Sequence, residues 1–139
     1  MFIIHTFWSG PSNLVSDLCI ERMRKMHPGW VVKVWDQDEF ERDGGEVCPG
    51  FDSLSIQHKS DWVRICLLCR YGGVWLDSTC ICVDSVTEWM NIQGSDVVGF
   101  EAPFEGGGTL ENWALACPPS HPLMLAWKAE FREAIRIGF

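Results

Sequence analysis

Four residues of this 139-residue chain have the types and spacing that chemistry could use: Trp8, Asp61, Arg64 and Asp77. If the segment around Asp61 is helical, Gln57, Ser60, Asp61 and Arg64 fall within about a hundred degrees of one another. The other central residues of that segment, Trp62, Val63, Ile65, Cys66, Leu67, Leu68 and Cys69, are apolar. A helix apolar on most sides is largely buried, so its polar stripe must face something other than open solvent. A carboxylate and a guanidinium at i, i+3 then either serve a ligand or pair with each other. Trp8 and Asp77 each close a short apolar run, and in open α/β sheets ligands sit beyond the carboxyl ends of parallel strands. If the two runs are parallel, the indole and the acid share one rim. That combination suits a nucleotide, whose base stacks while the acid takes a sugar hydroxyl or a hard cation. The competing readings are core packing for Trp8 and a cap or turn for Asp77.

The elements that hold these residues follow from periodicity. Residues 2–8 read as a buried strand closed by Ser9-Gly10-Pro11. Ser12 or Asn13 can cap a helix whose Val15, Leu18, Cys19, Arg22, Met23 and Met26 recur at three and four, and Pro28-Gly29 stops it. Residues 30–35 are β-branched and aromatic, a second strand, and the polar, Gly-containing stretch 36–54 reads as loop. Helical spacing returns over 56–71 and ends at Gly72-Gly73; 74–76 is a short strand, followed by the apolar 80–83. Residues 96–100 form a further strand before the loop at Gly106-Gly107-Gly108, and a last helix starts near Ser120 with Leu123, Trp127, Phe131 and Ile135 every fourth residue. Strands alternating with helices predict a single small α/β domain with an at least partly parallel sheet.

Composition removes several function classes. The net charge of −8 cannot neutralise a phosphate backbone, which argues against a nucleic-acid partner. No apolar run is long enough to span a bilayer, and residues 1–5 lack a basic stretch and cleavage site. Seven cysteines, an odd number set in apolar segments, fit reduced buried thiols and a cytoplasmic location. Cys66-x-x-Cys69 lies on an apolar helix and Cys80-x-Cys82 on one face of a strand, without the knuckle turn of a structural zinc site. The four histidines show no ligand spacing, and the triple glycine lacks the Lys-Ser/Thr of a phosphate loop.

The blocks Lys59-Ser60-Asp61-Trp62-Val63-Arg64 and Tyr71-Gly72-Gly73-Val74-Trp75-Leu76-Asp77-Ser78-Thr79 resemble a signature of sugar-transferring enzymes. These are the capsular-polysaccharide-synthesis glycosyltransferases and, beyond them, the initiating-mannosyltransferase-like (glycosyltransferase family 32) and clostridial-toxin-like enzymes. The opening 4–10, the Pro28-Gly29-Trp30 step, Asn112-Trp113-Ala114-Leu115-Ala116 and His121-Pro122 resemble further family segments in the same order. The resemblance implies a GT-A-like, Rossmann-like fold that binds a nucleoside diphosphate sugar and passes the sugar to a carbohydrate acceptor, with retention of configuration. It implies that Trp8 stacks on the base, that Asp61 and Arg64 bond the donor sugar, and that Trp75 packs beside the nucleotide. It makes Asp77 the first acid of an Asp-x-Asp motif near ribose, sugar and metal.

One departure stands out: the motif's third position is Thr79, a weak neutral ligand, which lowers the expected affinity for Mn²⁺ or Mg²⁺. Relatives also continue past the Trp127 helix, so a short C-terminus is expected. Both features motivate an alternative, a non-catalytic nucleotide-sugar-binding module or the donor half of an assembled enzyme. A side-chain base, if one is used, comes from Glu101, Glu105 or Glu111.

Overall fold

The computed structural model describes residues 2–94, 96–102 and 108–138. Strand β1 (Ile3–Phe7) is followed by helix α1 (Leu14–Met26), strand β2 (Val31–Trp35), helix α2 (Gln37–Arg42) and helix α3 (Ile56–Tyr71). Strands β3 (Gly73–Leu76), β4 (Val98–Ala102) and β5 (Thr109–Cys117) precede helix α4 (Pro122–Ile137). The five strands form one sheet in the order β2-β1-β3-β5-β4. β2, β1 and β3 run parallel, whereas β5 runs antiparallel to both β3 and β4. The partly parallel α/β sheet expected from the sequence is therefore present, with a mixed edge.

Alternation along the strands builds two cores. Phe7, Trp75, Leu115 and Cys117 face α3 and α4, where they meet Trp62, Ile65, Leu68, Met124 and Ile135. Ile4, Val74, Leu76, Ala114 and Ala116 face the opposite layer with Met23, Cys82, Val86 and Met90. α3 is buried from Trp62 through Cys69, so it is the central helix of its layer. His5, fully buried in β1, bridges the sheet to the turn after α3. Its Nδ1 accepts from the Trp35 indole (3.1 Å), which leaves Nε2–H to donate to the Gly72 carbonyl (3.2 Å). Burial lowers its pKa from 6.5 to about 4, so the ring is neutral.

Gly72 and Gly73 form the tight passage from α3 into β3. Both have positive φ, +62° and +90°; a Cβ on Gly72 would lie 2.5 Å from the Pro119 nitrogen, and one on Gly73 2.7 Å from an Ile3 methyl. Only glycine fits that close approach.

Several expectations are corrected. The stretch 36–54 contains α2, capped by Asp36 accepting from the Glu39 amide at 2.7 Å, and a short 3₁₀ turn at Phe51–Ser53. One buried apolar residue, Phe40, anchors α2, too few for a periodic signal. The buried face of α1 is Ser16, Cys19, Ile20 and Met23, while Val15 and Leu18 are exposed. Ser16 can occupy the core because its hydroxyl donates to the Asn13 carbonyl at 2.9 Å. Residues 80–83 form no strand: Cys82 turns inward, and Ile81 and Val83 are exposed. The Cys82 carbonyl is held at 2.8 Å by Arg22 Nε, in place of a ladder bond. In α4 Met124 and Ile135 are buried, Trp127 and Phe131 pack partly, and Leu123 is exposed in the first turn beside the His121 cap. Glu105, Gly106 and Gly107 lie outside the described residues.

Candidate functional site

Beyond the carboxyl ends of β1 and β3 lies a cleft of about 640 Å³. Trp8 and Ser9 extend β1 into its wall, Asp77, Ser78 and Thr79 extend β3, and α3 contributes Gln57, Ser60, Asp61 and Arg64. The polar stripe on the otherwise apolar helix thus faces this opening, and Trp8 and Asp77 share its rim as parallel strands require. Trp8 is half-buried, with its indole N–H donating to the Pro11 carbonyl at 3.1 Å. It also borders a second cavity of about 690 Å³ that passes the end of β2 and is lined by Asp36, Gln37, Asp38 and Glu39.

Arg64 is the hub. One terminal nitrogen donates to Asp61 Oδ1 at 2.5 Å and the other to Asp77 Oδ1 at 2.9 Å. It is only 3% exposed, and its Nε has no partner among the described residues. Burial of a guanidinium requires such pairing. Its charge is therefore already balanced: the cluster of two acids and one arginine carries one net negative charge. Each terminal nitrogen thus spends one N–H on a carboxylate, and Asp61 and Asp77 together orient the guanidinium at the cleft wall.

Each carboxylate concentrates its partners on one oxygen. Asp61 Oδ1 also accepts from Asn112 Nδ2 at 3.2 Å, and Asp77 Oδ1 also accepts from the Trp75 indole at 2.7 Å. Both Oδ2 atoms are without a described partner. The Asp77 backbone is fixed as well, its amide donating to the Trp113 carbonyl at 2.9 Å.

Trp75 departs from expectation. It is fully buried and lines no part of the cleft, lying beneath Arg64 with the guanidinium 4.9 Å from its ring. Alternation places its ring inside the sheet layer below the rim. Thr79 does line the cleft and is exposed. Glu101 and Glu111, on β4 and β5, do not line it. Asn112 is the member that residue reading missed. β5 pairs Ala114 with Leu76, which sets Asn112 just past the end of β3 beside Asp77, a neighbourhood that only the antiparallel pairing creates.

No group of three or more His, Cys, Asp or Glu positioned to hold a metal occurs among the described residues. Asp77 and Thr79 both line the cleft, so a carboxylate and a hydroxyl are the protein groups that a cation there would share with ligand oxygens and water. All seven cysteines are free thiols, and burial pushes Cys66, Cys80 and Cys117 up to about 12. No described helix is long and apolar enough to cross a membrane.

Comparison with known proteins supplies the fold and the family. A solved structure described as PaToxG Glycosyltransferase superposes with a TM-score of 0.65 at 13% identity, covering 98% of this chain and 61% of that one. That likeness establishes the GT-A-like fold. The Schizosaccharomyces pombe protein described as "Pyruvylated Gal-beta-1,3-epitope synthesis protein 2" is 22% identical over 120 residues, 75% of this chain. The chain spans 31% of that relative's length. The family model described as "Capsular polysaccharide synthesis protein" matches residues 12–134. The chain belongs to the capsular polysaccharide synthesis protein family.

Proposed function

We propose that this chain is the donor-binding domain of a glycosyltransferase that moves a sugar from a nucleoside diphosphate sugar to a carbohydrate acceptor. The observation that carries the reading is the Asp61–Arg64–Asp77 cluster, set at the carboxyl ends of parallel strands beside a half-buried indole. Family membership and the fold of the solved neighbour support it.

In this reading Trp8 stacks on the base, and the unpartnered oxygens of Asp61 and Asp77 accept hydroxyls of the donor. Arg64 bonds both acids and so fixes their orientation at the cleft. The cluster's net negative charge cannot by itself welcome a diphosphate. A divalent cation, when bound, neutralises charge on the leaving diphosphate, with Asp77 and Thr79 as the residues to hold it. The family resemblance favours front-face attack with retention, the leaving group itself taking the acceptor proton. The buried free thiols favour a reducing, cytoplasmic setting.

Nucleotide-sugar hydrolysis or transfer, followed by release of nucleoside diphosphate with Mn²⁺ or Mg²⁺ present, tests this. Turnover lost in Asp77→Ala supports the assignment, and turnover retained there refutes Asp77's role. A second reading, a module that binds donor without turnover, is favoured by Thr79 at the place of the motif's second acid. Saturable binding with no released diphosphate selects it.

A further inference from the structure

Trp75 is fully buried, yet its single polar atom is directed at the most exposed acid of the cluster. A buried indole N–H needs an acceptor, and Trp75 and Asp77, two residues apart, point to the same face of the extended chain. Asp77 Oδ1 thereby receives two donors from two elements: the indole of β3 at 2.7 Å and the guanidinium of α3 at 2.9 Å. One donor leaves a carboxylate free to rotate about its Cβ–Cγ bond; two donors converging on the same oxygen fix its plane. The other oxygen is then the one left for a ligand. Arg64 lies over the same indole at 4.9 Å, so Trp75 supports both partners at once.

We propose that Trp75 is a positioning residue that acts through Asp77: its indole N–H orients the carboxylate so that Oδ2 faces the nucleotide sugar. Trp75 touches no ligand itself. The inference rests on the nucleotide-sugar reading of the cleft. Phenylalanine at this site retains the apolar ring and removes only the donor, whereas the residue's packing role needs the ring alone.

Titration calorimetry with UDP- and GDP-sugars in Mn²⁺ tests the idea on the wild type, Trp75→Phe, Asp77→Asn and the double variant. A hydrogen bond to a charged acceptor sets the scale at about a tenfold loss of affinity for Trp75→Phe. The double variant should bind no more weakly than Asp77→Asn, because Trp75 then has nothing left to orient. Unchanged affinity in Trp75→Phe, or losses that simply multiply, overturns the proposal while the cleft reading stands. A wild type that binds no nucleotide sugar overturns both. Should Trp75→Phe not fold, the wild-type indole ¹H–¹⁵N resonance of Trp75 supplies the answer. It should move on saturation with the nucleotide sugar although the ring is out of contact, and an unmoved resonance in a binding protein overturns the role.

Discussion

The residue that concentrates most roles is Asp77, and its removal has two separable consequences. Asp77→Ala leaves the Arg64 nitrogen and the Trp75 indole without an acceptor, which costs about 1–3 kcal/mol of stability by urea unfolding. Turnover should fall by about a hundredfold or more, beyond what that stability loss explains. His5 provides a test independent of the cleft. In the unfolded chain it takes a proton below pH 6.5, but in the fold only below about 4. The unfolded state therefore binds more protons in that window. Stability contributed by His5 is complete above pH 6.5, declines as pH falls, and is gone near pH 4, a loss of about 3 kcal/mol. Denaturation midpoints across this range should show the slope, and His5→Asn should flatten it. At this scale the sequence was informative about identity and less so about role. Asp61, Arg64, Asp77 and Trp8 were all picked out by stripe and rim. That Trp75 is a buried donor, and that Arg64 spends its nitrogens on two acids, depended on side-chain directions no spacing encodes.

Elements divide by how much apolar pattern they carry. α3 was legible because its sixteen residues hold a long buried run interrupted by one polar stripe. β1 and β3 were legible because each ends in a turn signal. α2 was not, since six residues with one anchor give no period. The buried face of α1 departs from its apolar spacing because Ser16, a polar residue satisfied by its own turn, takes a core position while Leu18 does not. β5 escaped notice as a nine-residue strand because its outer half is exposed and polar and its inner half apolar. The passage between α3 and β3 makes the sharpest prediction for an element. Gly72→Ala places a methyl against Pro119 at positive φ and should cost roughly 3 kcal/mol. It should lower cleft function only as far as it shifts Asp77, which denaturant midpoints and donor affinity measured together will separate.

For the whole molecule, topology brings distant segments to one rim: residues 8, 61–64, 77–79 and 112 meet because two parallel strands, a central helix and an antiparallel return end there. The remainder is a conventional two-sided core with reduced thiols. Ellman's reagent should therefore count seven thiols in denaturant, while the native protein shows fast reaction at no more than the half-buried Cys80. The central claim is that the cleft binds a nucleoside diphosphate sugar, and the melting temperature tests it most directly. With UDP-, GDP- or dTDP-sugar at about a hundred times its dissociation constant, together with Mn²⁺, at least one donor should raise it by about 5–10 °C. The same donor should leave Asp77→Ala where it was. No shift with any nucleotide sugar at millimolar concentration, or an equal shift in Asp77→Ala, would contradict the account.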